Sequence, residues 1–144
     1  MMPIPKNEPT SDYERSEYRL LYVGRDAEWF RRLKSALGLP ANRLVYCAGA
    51  NTAKLFIRCH IRYDLFLFDL DLLNETGLEL VRLVRSLSHR QDKQIIIVGS
   101  EEVINPLKEL ARSGVDECLT KTPDAAAAVE TILRLLGEDP PGYR

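Results

Sequence analysis

Five short apolar runs, each followed by a stretch of helical periodicity, constrain this chain more than any other feature. The runs are Arg19 to Val23, Arg43 to Cys47, Leu65 to Phe68, Gln94 to Val98 and Glu117 to Leu119. Branched or aromatic apolar residues in consecutive places predict strands covered on both faces. Between them, Asp26 is placed to cap a helix through AEWFRRLKSAL, in which Trp29, Phe30, Leu33 and Leu37 share a face and which Gly38 ends. A second helix is predicted from Asn51, a candidate cap, to about Arg62, with Leu55, Phe56 and Cys59 as its apolar side. A third runs from Thr76 to about Ser88 on Leu78, Leu80, Val81 and Val84, and a fourth from Asn105 to Ser113, stopped by Gly114. The last is predicted to begin at Thr122-Pro123-Asp124 and to reach about Leu136. Strand and helix in strict alternation predict one α/β domain over residues 18–137, a five-stranded parallel sheet with helices on both faces.

Composition agrees with a single core. The 144 residues are 45% hydrophobic and 28% charged, as in an ordinary globular chain. Lys and Arg number 20 against 21 acids, which argues against a general nucleic-acid or membrane-surface binder. No apolar run approaches the roughly 18 residues of a membrane span. Cys47, Cys59 and Cys118 are widely spaced without a CxxC pair, and are expected as reduced thiols in a cytoplasmic protein. Residues 1–17 and 138–144 are polar and proline-rich and are expected to be tails. No output domain is expected after residue 137.

Ligands of open parallel sheets bind at the carboxyl ends of the strands. There the sequence offers Gly24, Arg25 and Asp26; then Asp69 and Asp71; then Gly99, Ser100 and Glu101; then Thr120 and Lys121. A carboxylate that accepts a phosphoryl group needs cationic and hydroxyl partners for the phosphoryl oxygens, commonly with a divalent metal. Asp69 is the candidate acceptor, Lys121 the cation and Ser100 the hydroxyl. Asp26, Asp69 and Asp71 are the candidate ligands should magnesium be bound.

YDLFLFDLDLLNETGLELVRLVR and SGVDECLTK, in this order and spacing, resemble the CheY-like receiver domains of two-component response regulators. The resemblance covers residues 18–137. It implies that Asp69 is the phosphoacceptor position, Lys121 the family lysine, and Gly99 and Cys118 the two switch positions. It also implies a signalling role through another protein: a histidine kinase, a phosphotransfer protein or an output protein. The surface it implies is the fourth helix, fifth strand and fifth helix, with a homodimer as one use of it.

The same comparison exposes departures. Gly24 and Arg25 stand where the family has a pair of acids for magnesium, Gly99 where it has Thr or Ser, and Cys118 where it has an aromatic. Arg25 would repel a divalent cation, and is expected to pair with Asp69, so that Asp69, Arg25 and Lys121 form a metal-free ion cluster. Asp71 and Glu101 are expected to face solvent beside the site and modulate water access. The expectation is therefore an atypical receiver with impaired or absent magnesium-dependent phosphorylation, the alternative being a phosphorylation-competent one. FDLDLLNE also resembles the DxDx motif of haloacid-dehalogenase-like phosphatases. That motif belongs on a first strand, however, and here two strand and helix units precede it. His60 and His89, and the arginines Arg82, Arg85 and Arg90, are expected to be solvated.

Overall fold

Every predicted strand forms, and all pair in parallel: β1 (Leu20–Val23), β2 (Leu44–Cys47), β3 (Leu65–Asp69), β4 (Gln94–Gly99) and β5 (Glu117–Thr120). The computed structural model describes residues 18–40, 43–73, 75–111 and 114–137, so the expected tails, 1–17 and 138–144, lie outside the described residues. The strand order is β2-β1-β3-β4-β5, which opens a crevice between the carboxyl ends of β1 and β3. The helices are α1 (Ala27–Leu37), α2 (Ala50–Arg58), α3 (Glu75–Ser86), α4 (Glu101–Ala111) and α5 (Ala126–Leu135), with one helical turn, Leu70–Leu73, directly after β3.

Strand alternation sorts the core into two layers. Leu21, Val23, Phe66, Phe68, Ile95 and Ile97 pack beneath α2, α3 and α4. Leu20, Tyr22, Leu65, Leu67, Ile96 and Val98 pack beneath α1 and α5. Asp69 continues the Leu65–Leu67 alternation, so its side chain emerges on the same side as that of Tyr22. In the β1–β3 register Tyr22 lies opposite Leu67, one strand period before Asp69. The sequence thus brings a phenol and a carboxylate to one corner.

Helix ends differ from the sequence expectation in instructive ways. Asp26 caps α1 as expected, its Oδ1 accepting from the Trp29 N–H at 3.1 Å, and Gly38 closes the helix with φ 70°. Asn51 does not cap α2, which begins at Ala50 behind extended Gly49. The core side of α2 is Ala53 and Ile57, whereas Leu55, expected on that side, is 67% exposed. The fourth helix, expected from Asn105, starts at Glu101 as α4 and keeps Pro106 inside. α5 begins at Ala126, later than the Thr122-Pro123-Asp124 signal, because the buried Ala125 takes a left-handed conformation (φ 59°) and delays the helix.

Of the three arginines expected to be solvated, Arg82 in α3 is exposed, but Arg85 and Arg90 are not. Arg90 is 1% exposed, and its guanidinium donates to the carbonyls of Ile57 (2.9 Å), Cys59 (2.8 Å) and Phe56 (3.3 Å) at the end of α2. It lies 5.1 Å from the Tyr63 ring centroid and 5.6 Å from that of Phe66. A planar donor fork over aromatic rings suits this burial. Arg85 donates to the carbonyls of Gly114, Gln91 and Lys93 and pairs with Asp116. His60 and His89, remote in sequence, bring their rings to 5.1 Å, and a His89 nitrogen hydrogen-bonds the Cys59 carbonyl.

Candidate functional site

Asp69 ends β3 fully buried. Its Oδ2 accepts from the Tyr22 hydroxyl at 2.7 Å and from Lys121 Nζ at 2.8 Å, and its Oδ1 accepts from the Asp71 N–H at 3.2 Å. Both oxygens are therefore engaged by the protein itself. That answers the desolvation cost of a charge at a buried strand end.

Lys121 follows β5 and stands at the meeting point of three carboxylates. Its Nζ is 2.8 Å from Asp69 Oδ2, 2.9 Å from Asp71 Oδ2 and 3.1 Å from Asp26 Oδ2. Burial alone would depress the lysine pKa, but hydrogen bonds to Asp69 and Asp71 and their charge outweigh it, holding the ammonium well above its ordinary value. Asp26 and Asp71 move the opposite way. Burial raises each, but the Trp29 N–H and Lys121 for Asp26, and the Ser100 N–H and Lys121 for Asp71, bring both below the usual carboxylate range. Asp26 thus performs two roles at once, capping α1 through Oδ1 and pairing with Lys121 through Oδ2.

Arg25 corrects the expectation. Its Nε donates to the Ala48 carbonyl beyond β2 at 3.0 Å, so the guanidinium leaves the cluster that it was expected to share with Asp69. The group that joins Asp69 and Lys121 is Tyr22, which reading the strand for apolar content passed over. Tyr22 is fully buried, and its ring is fixed among Phe30 (5.3 Å), Tyr46 (5.5 Å) and Trp29 (6.1 Å). Burial and the Asp69 charge push its hydroxyl well above an ordinary tyrosine, so it stays a neutral donor. It also accepts from the Asp26 N–H at 3.2 Å. The available signal was one hydroxyl-bearing ring in an otherwise aliphatic strand, two residues before a glycine.

Gly24 explains why that ring fits. A Cβ at position 24 would lie 2.6 Å from the Tyr22 hydroxyl oxygen and 2.6 Å from Asp69 Cβ. Gly24→Ala is expected to destabilise the fold by about 1–3 kcal/mol. Combining it with Tyr22→Val should cost at least about 1 kcal/mol less than the two changes separately, since they share one space. Urea midpoints of the four chains measure this, and strict additivity would remove Tyr22 as the obstacle.

The remaining positions fall into place around Asp71. A Cβ at Gly99 would come within 3.2 Å of Asp71 Oδ1, so glycine there clears the path by which Asp71 reaches the Ser100 N–H at 2.6 Å. Ser100 is thus tied to Asp71, and Asp71 belongs to the cluster instead of standing beside it in solvent. Glu101 is exposed in the first turn of α4, and Cys118 is half-buried against the α2–α4 layer with its thiol pKa raised by burial.

The acids do not fit a divalent cation as they stand. The Lys121 ammonium holds the point where Asp26, Asp69 and Asp71 converge, position 24 brings no ligand, and both Asp69 oxygens already accept hydrogen bonds. Among the described residues no group of three or more His, Cys, Asp or Glu is disposed to hold a metal.

Comparison with solved structures places this architecture. A CheY-like response regulator receiver domain from Methylobacillus flagellatus superposes with a TM-score of 0.64 at 28% identity, over 81% of this chain and 96% of that one. The chain has the fold of a CheY-like receiver. The receiver domain of NtrC4 from Aquifex aeolicus matches with a TM-score of 0.67 at 13% identity, over 83% of this chain and 97% of that one. A response regulator from Burkholderia pseudomallei, solved with a phosphorylated aspartic acid, a calcium ion and citrate, matches at 0.62 and 20% identity, over 83% of this chain and 66% of that one. No protein-family model and no curated protein matches the sequence. Asp69 ends β3 and Lys121 follows β5, and their side chains meet at the carboxyl ends of the strands. No helix among the described residues is long and apolar enough to cross a membrane.

Proposed function

We propose that this chain is a receiver-type signalling module that acts by binding another protein, and that Asp69 does not serve as a magnesium-dependent phosphoacceptor. The observation that carries this reading is the Tyr22 hydroxyl, 2.7 Å from Asp69 Oδ2, in space that only a glycine at position 24 leaves open. A nucleophilic carboxylate must present a free oxygen to an incoming phosphoryl group. Here Tyr22 and Lys121 occupy one oxygen, and the Asp71 N–H the other. The Lys121 ammonium also supplies, from within the chain, the positive charge that a metal supplies elsewhere.

The module turns over no external substrate. Its partner is another signalling protein, a histidine kinase, a phosphotransfer protein or an output protein, met in a cytoplasmic setting. The face formed by α4, β5 and α5 is a proposed contact surface, for such a partner or for a second copy. The competing reading, a phosphorylation-competent receiver, draws on the phosphorylated aspartic acid of the Burkholderia pseudomallei structure.

Intact-mass measurement after incubation with acetyl phosphate and magnesium separates the two. The parent chain and Asp69→Asn are expected to remain unmodified alike. One phosphate on the parent that is missing from Asp69→Asn would establish the competing reading instead.

A further inference from the structure

The chain is nearly neutral overall, yet from Trp29 to Tyr63 it contains no Asp or Glu and seven Lys or Arg. This segment builds α1, β2 and α2, and β2 is an edge strand, so one margin of the domain is basic. The same margin carries Leu55 (67% exposed) and Ile61 (48% exposed), the exposed large hydrophobic residues among those described. Leu55 lies in the last turns of α2 and Ile61 three residues beyond its end.

On α2 the exposed residues Asn51, Thr52, Leu55 and Arg58 follow helical spacing and form one face, while Ala53 and Ile57 turn to the core. Among the described residues no acid pairs with Lys54 or Arg58, whereas Arg62 is answered by Asp64 at 2.9 Å. The surface is also held firmly. Arg90 ties down the carbonyls of Phe56, Ile57 and Cys59, so the helix exit that presents Ile61 is braced from inside.

We infer that the exposed face of α2 and its exit, Leu55, Arg58 and Ile61 with Lys54, is a docking surface for an acidic, amphipathic segment of a partner protein. Charge complementarity selects this occupant. A second copy on the same face would set Lys54 and Arg58 against their own counterparts, where like charges repel. Nucleic acid would match the charge but leave Leu55 and Ile61 without purpose, since single strands are held by exposed aromatic platforms. A lipid surface takes up a whole apolar helix face, whereas Ala53 and Ile57 of this helix are committed to the core and Phe56 packs partly buried against it. An acidic helix with apolar anchors answers both the charge and the two side chains. The inference goes beyond the reading of Asp69 and holds whichever way that residue behaves.

The test uses the full chain labelled with ¹⁵N and a synthetic helical peptide of Glu with Leu at i, i+3, i+4 and i+7, beside the same peptide with Lys for Glu. The Glu peptide is expected to shift amide resonances of residues 51–62. Its affinity should weaken about tenfold or more between low and high salt, and about tenfold in Leu55→Ser or Arg58→Glu. Both side chains are exposed, and the amide spectrum of each variant shows directly that it is folded. Unmoved resonances, equal binding of the Lys peptide, or binding indifferent to both variants would overturn the inference. So would stronger perturbation of the same residues by phosphatidylserine vesicles or by a DNA duplex.

Discussion

Lys121→Met is expected to destabilise the protein by about 3–5 kcal/mol at neutral pH, the loss typical of removing one partner from a buried ion pair. Three carboxylates converge on this ammonium, and Asp69 has no exposure through which water could take its place. The pH dependence should change sign. In the parent chain Asp26 and Asp71 have folded pKa values below their unfolded ones. They add stability that is fully present above about pH 4 and is lost as pH falls through their folded values. The raised pKa of Lys121 adds stability that is complete below its unfolded value near pH 10.4 and is lost only as pH rises through the higher folded value. The parent should therefore be no more stable at pH 5 than at pH 7. In Lys121→Met the clustered carboxylates repel and their pKa values rise, so acidification from pH 7 to pH 5 should recover stability. Urea midpoints at the two pH values decide it, and a variant as stable as the parent at pH 7 would remove Lys121 from the centre of the cluster.

Arg90→Met is expected to lower stability by about 3 kcal/mol, a drop of roughly 10 °C in Tm for a domain of this size. The methionine keeps the apolar stem but removes the guanidinium from three carbonyls at the end of α2; Cys59 keeps the His89 nitrogen and Phe56 the Cys59 thiol, while the buried contact to Ile57 is lost outright. Each orphaned buried acceptor costs about 1–3 kcal/mol. Arg90→Lys should recover only part, because an ammonium lacks the planar fork that spans Ile57 and Cys59 while lying over Tyr63 and Phe66. Thermal melts followed by circular dichroism measure both variants. A melting point unchanged in Arg90→Met would mean that water replaces the guanidinium.

The strands were legible because each is covered on both faces, which leaves runs such as LFLF with no polar interruption to misread. The placement of Asp69 and Lys121 was legible for a related reason, since a charge at the end of such a run has only the strand-end crevice to enter. Direction was not legible. Arg25 has the right charge and the right place in the chain to meet Asp69, but it turns toward Ala48, and no one-dimensional pattern carries that information. Tyr22 was hidden because a phenol inside an apolar run counts as apolar until its hydroxyl finds a carboxylate from another strand. Leu55 matched the period of a core position, but core membership of α2 was decided by Ala53 and Ile57, set by how the helix lies on the sheet. The start of α5 depended on the left-handed turn at Ala125, a conformation alanine does not advertise.

Trp29 is the single tryptophan of the chain. Its indole nitrogen donates to the Thr122 carbonyl at 2.7 Å, its backbone N–H is capped by Asp26, and the Lys121 ammonium lies 5.8 Å from its ring centroid. An indole excited state redistributes its electrons across the ring, so a cation at that distance and a hydrogen bond at the ring edge both shift the colour it emits. The protein therefore carries its own optical gauge, wired to the corner where Asp26, Asp69 and Lys121 meet. Any event that moves the ammonium registers as light from one ring, even where the backbone stays still.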